Sequence, residues 1–93
     1  MAIDAGVRST DDLREFGNNL QQMGEQMYNV MTQAQRRMNY VSEGWRDDKN
    51  EEFKVRFAES VQMIKRMSEE FSEYNQYLQR QCEILEQYKS TRI

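Results

Sequence analysis

Apolar side chains recur at Leu13, Phe16, Leu20, Met23, Met27, Val30, Ala34, Met38 and Val41, in steps of three or four residues. A second series runs Phe53, Phe57, Ser60 or Val61, Ile64, Met67, Phe71, Tyr74, Leu78, Cys82, Leu85 and Tyr88 with the same step. Both rows are the heptad-like stripe of an amphipathic helix. No proline interrupts the chain, which favours long unbroken helices. Between the rows lies Ser42-Glu43-Gly44-Trp45-Arg46-Asp47-Asp48, the one break in the pattern. The pattern therefore predicts an all-α fold, a single antiparallel two-helix hairpin: an arm over 1–9 with Gly6 and no period, helix 1 over 10–43, a turn over 44–47 containing Trp45, helix 2 over 48–89, and a tail over 90–93.

Start and stop signals agree with that division. Ser9, Thr10, Asp11 and Asp12 are candidate N-caps of the first helix, with Asp12 and Glu15 at capping-box spacing. Gly44 is suited to end it in a left-handed conformation. Asp47 or Asp48 can cap the second helix, Asp48 and Glu51 again have capping-box spacing, and Glu51 and Glu52 favour the positive end of its dipole. Gly17 and Gly24 lie one heptad apart on one edge of the first stripe, at a cost of about 1 kcal/mol each relative to alanine. They are either tolerated weak points or places where another helix comes close. At about 1.5 Å per residue the predicted helices are roughly 48 and 60 Å long, so the second outruns the first from around Gln81. Folding back at Trp45 sets Phe16 and Leu20 against Phe71 to Leu78. A lone hairpin covers each stripe on one side only, and Tyr28, Met31, Val55, Met63, Tyr77 and Ile84 flank the stripes. A dimer forming a four-helix bundle would cover them. The candidate hairpin or dimer seam is Leu13, Phe16, Leu20, Met23, Met27, Phe57, Ile64, Phe71 and Leu78.

Composition narrows the chemistry. In 93 residues the mean hydropathy is −1.03, but seven Met, five Tyr, four Phe and one Trp supply more apolar surface than a disordered chain carries. Histidine is absent, removing the commonest general base and metal ligand. Glu51-Glu52 and Glu69-Glu70 are adjacent pairs, splayed about 100° apart on a helix, and do not converge. The chain is expected to be a non-enzyme with no cofactor and no metal. Net charge is −3 without a basic run, which argues against nucleic acid. No apolar run approaches the roughly 20 residues of a membrane span, and the first ten residues lack a Sec-type pattern, so synthesis in the cytoplasm is expected. The single cysteine, Cys82, reads as a small buried hydrophobe.

Helix, Gly44-Trp45-Arg46-Asp47, helix, and then Phe53 eight positions after the tryptophan, in about a hundred residues, resembles the WXG family, the ESAT-like small proteins of type VII secretion. The resemblance covers the whole chain in length, layout and mid-chain turn. Asp47 stands where the family has glycine. None of Tyr74, Tyr77 and Tyr88 is followed four residues later by an acid, so the family's Tyr-x-x-x-Asp/Glu tail is missing. The resemblance implies a hairpin that acts through helix–helix association as a secreted substrate, partner or adaptor of a dedicated secretion system. Its implied partners are proteins: a second copy or a related hairpin, a secretion ATPase, or a larger secreted protein. Gly44, Trp45, Asp47 and Phe53 are the turn motif and candidate partner-binding residues. Trp45 either anchors the hairpin tip against Phe53 or docks a partner. A structural coiled-coil or scaffold component is the competing expectation. A membrane-active hairpin ranks below both.

Overall fold

Thr10–Val41 and Asp48–Thr91 form two antiparallel helices, α1 and α2, of 32 and 44 residues. They appear in a computed structural model that describes residues 9–45 and 47–91, with side chains through Lys89. The predicted arm falls almost wholly on Met1 to Arg8, outside the described residues, as does Arg46 in the turn. The molecule measures 71 × 19 × 17 Å.

The termini of the helices differ from the capping-box expectation by a residue or more. Ser9, extended at φ −161°, caps α1: its hydroxyl accepts from the Asp12 N–H at 3.0 Å. Capping therefore uses the Ser9–Asp12 spacing, not Asp12–Glu15. α1 ends at Val41, two residues before the predicted limit, where the Ser42 N–H still reaches the Met38 carbonyl at 3.0 Å. Ser42, Glu43, Gly44 and Trp45 then make a tight turn closed by Trp45 N–H to Ser42 C=O at 3.0 Å. Gly44 is its third residue, at φ 77°, and is the one described residue with positive φ. That is the type II pattern, which a residue with a β-carbon fits poorly. Asp47 caps α2, its carboxylate accepting from Lys49 N–H at 2.8 Å and Asn50 N–H at 3.3 Å. α2 continues through Thr91, so part of the predicted tail is helical.

The helices meet along a row that differs from the apolar stripe of α1. The least exposed positions of α1 and its C-terminal cap include Gly17, Gln21, Gly24, Tyr28, Met31, Gln35, Met38 and Ser42, a strict alternation of four and three. Phe16, Met23, Met27 and Val30 lie about 100° to one side and are 51%, 51%, 36% and 62% exposed. On α2 the matching row is Val61, Ile64, Ser68, Phe71, Asn75, Leu78, Cys82 and Leu85. The reason is steric. At Gly24 a β-carbon would sit 3.0 Å from the Phe71 ring and 3.1 Å from the Ser68 Cα, and one at Gly17 would overlap the Asn75 amide. The two glycines are thus places of close approach, resolving the open alternative in favour of helix–helix contact.

Polar side chains fix the register at the open end. Asn75 donates to Gln21 Oε1 at 2.7 Å and Asn18 Oδ1 at 3.2 Å, and accepts from Gln79 at 2.9 Å. Arg14 donates to Gln79 Oε1 at 2.9 Å and pairs with Glu86 at 2.6 Å. Thr10 also donates to Glu86, at 3.0 Å, and its carbonyl accepts from the Cys82 thiol at 3.5 Å. The start of α1 therefore lies level with Cys82 and Glu86, and α2 outruns it from beyond Glu86, later than the predicted Gln81. Near the turn, Asn50 Nδ2 to Ser42 Oγ at 3.1 Å ties the helices at the other end.

Candidate interaction face

The exposed row of α1 and one flank of α2 form a single apolar face. Phe16 meets Tyr74 edge-on at 6.4 Å between ring centroids, and Tyr74 stacks on Tyr77 at 6.1 Å. That contact fixes the flank of α2 carrying Met63, Met67, Tyr74 and Tyr77, spaced 4, 7 and 3, on the same side as Phe16, Leu20, Met23, Met27 and Val30. Met63, Tyr74 and Tyr77 are 60%, 47% and 45% exposed. At the centre is an open groove of about 430 Å³ lined by Met23, Gln26, Met27, Val30, Met31 and Ile64, with no charged side chain among them. This largely apolar surface, built by both helices and interrupted on α2 by Glu70, is the candidate interaction face.

The candidate seam residues divide accordingly. Leu78 is buried in the hairpin, and Leu13, Leu20, Phe57, Ile64 and Phe71 are partly covered. Phe16, Met23 and Met27 lie on the open face. The buried polar seam of Asn75, with Gln21 and Gln79, lacked the apolar signal used to find the stripes. Continuing the three–four step from Val61 through Ser68 would have reached Asn75.

At the tip Trp45 is 53% and Phe53 49% exposed. Lys49 and Arg56 lie 5.9 and 5.8 Å from the Phe53 ring centroid, while the ring pairs among the described residues leave Trp45 out. Asp47 holds the start of α2 and Gly44 the turn, so of the four turn-motif residues two shape backbone and two present open rings. Electrostatics is concentrated at the opposite end: hydrogen bonds from Arg14 and Thr10 hold the Glu86 carboxyl below its ordinary range. Burial pushes the Cys82 thiol up. Among the described residues no group of His, Cys, Asp or Glu is arranged to hold a metal ion, and no helix is long and apolar enough to cross a membrane. Comparison with family models, with curated proteins and with solved structures gives no match.

Proposed function

We propose that this chain is a non-catalytic helical hairpin that works by helix–helix association, pairing its apolar face with a second copy to make a four-helix bundle. The observation that carries the reading is the displacement of the apolar row from the hairpin's own seam. The α1 row packed against α2 carries Gly17, Gln21, Gly24 and Gln35 among its members, while Phe16, Met23, Met27, Val30, Met63 and Tyr74 are left open. The accessible surface is 7575 Å², about 1,900 Å² more than a compact monomer of 11.2 kDa exposes. A standard interface removes about 800 Å² from each partner, so pairing on this face fits within that excess.

The cellular setting rests on the resemblance to the WXG family. In this reading the paired hairpins serve a type VII-like secretion system as substrate, partner or adaptor, and the open Trp45 and Phe53 rings at the tip meet the machinery. Support comes from the hairpin, the mid-chain Gly44-Trp45 turn and the exposure of both rings. Two measurements test the proposal. Light scattering at micromolar concentration should give twice the chain mass, and a monomer would refute the pairing. Export from a host with a functional type VII system should be lost for Trp45→Ala while the fold and mass are kept. Retention of the wild-type chain in the cells of such a host, its own partners supplied, would refute the secretion role.

A further inference from the structure

Six methionines lie in or beside the helices, and their accessibility is uneven. Met63, Met23 and Met27 are 60%, 51% and 36% exposed on the apolar face, whereas Met31, Met38 and Met67 are half-buried. Met23, Met27 and Met31 follow one another at four-residue steps along the groove, where Ile64 lines the opposite side. A thioether is apolar and adaptable, so this groove suits another helix, but its sulfur is also the most readily oxidised group on such a surface.

We infer that the face is a redox-sensitive contact, in which hydroperoxide oxidation of Met23, Met27 and Met63 in the free hairpin prevents it from pairing. The inference rests on the pairing reading above. In the step itself, a sulfur lone pair attacks one peroxide oxygen and an S–O bond forms as the O–O bond breaks. The proton on the attacked oxygen passes to the departing hydroxide, which leaves as water. Sulfur loses two electrons and the peroxide gains them. The product sulfoxide is polar and chiral, and methionine sulfoxide reductases return it to the thioether. A sulfoxide at Met23 or Met27 places a strong hydrogen-bond acceptor in a groove whose lining offers only the Gln26 amide as a polar side chain. The seam within the hairpin is less open to attack: its methionines, Met31 and Met38, are half-buried, and the helices approach closely at Gly17 and Gly24. The fold should thus persist while pairing is lost.

The test is to treat the full chain with hydrogen peroxide and follow mass by light scattering, helicity by circular dichroism and each methionine by peptide mass spectrometry. Met63, Met23 and Met27 should oxidise before Met31, Met38 and Met67, and more slowly at high protein concentration, where pairing shields them. The dimer dissociation constant should rise at least about tenfold with helicity retained, and reductase treatment should reverse it. Peroxide should leave the dissociation constant of the triple variant Met23→Leu, Met27→Leu, Met63→Leu where it stood before treatment, since leucine has no sulfur to oxidise. An untreated chain that is monomeric would overturn both the pairing and this inference. A dimer that persists with all three sulfoxides formed would overturn this inference alone. So would a triple variant that pairs yet loses pairing on peroxide treatment as readily as the wild type, because the sensitive group would then lie elsewhere.

Discussion

Asn75 is 7% exposed, and both polar atoms of its side chain are engaged: Nδ2 donates to Gln21 and Asn18 of α1, and Oδ1 accepts from Gln79 of its own helix. Its amide fills the space a β-carbon at Gly17 would need. Alanine at Gly17 gains about 1 kcal/mol in helix propensity, yet it must displace a hydrogen-bonded amide whose loss costs about 1–3 kcal/mol. Gly17→Ala is therefore expected to lower stability by roughly 1 kcal/mol net in urea unfolding. In an Asn75→Ala background, which empties that space, the same substitution should become neutral or stabilising. Additive costs in the double-mutant cycle would show that the two residues are uncoupled. Glu86 gives a pH-dependent counterpart. Its folded carboxyl is held below the ordinary carboxylate range, so its contribution is intact above the unfolded value and fades as pH falls through the lowered one. Glu86→Gln should reduce Tm at pH 7 and narrow the difference in Tm between pH 7 and pH 3. An unchanged difference would show that the Arg14 pairing is energetically silent. Sequence spacing alone exposed the glycine pair but not the residue that occupies the space beside them, because asparagine reads as a surface type.

Both helices were legible from the three–four step of their apolar residues, with limits right to within about two residues. The step cannot say which side of a stripe meets the neighbouring helix. That choice was decided by Gly17 and Gly24, whose missing side chains let α2 approach closest about 100° away from Phe16 and Met23. The turn was legible in part: Gly44 because positive φ demands it, and Asp47 only as one of two candidate caps with Asp48, the choice falling to the one whose carboxylate reaches two backbone N–H groups. Asp47→Ala should cost about 1 kcal/mol, whereas Asp47→Gly, the residue of the WXG pattern, should cost only a few tenths. Thermal or urea unfolding of the two variants measures the difference. Equal losses would mean that Asp47 does more than cap α2.

The proposed pairing can be tested on the open row of α1. Met27→Glu places a charge at the edge of the groove without touching the Asn75 network. It should leave helicity unchanged and convert the proposed dimer to a monomer in light scattering. The wild-type Tm should rise with protein concentration, as it does whenever association stabilises the folded state, and the variant's should not. A concentration-independent wild-type Tm would argue that the face stays open. The sequence raised the need for a partner through its flanking apolar groups, but their common face emerged only from the Phe16–Tyr74 contact, which joins residues 58 positions apart in the chain.

The 71 Å length has a hydrodynamic consequence. The chain's radius of gyration is 20.3 Å, which a compact globule reaches only at about 350 residues. A single hairpin will therefore run ahead of its mass on a sizing column, in the range where a compact oligomer would elute. Pairing side by side thickens the rod without lengthening it, and the radius of gyration changes little when the mass doubles. For a molecule of this shape, scattered intensity distinguishes one copy from two, and elution position does not.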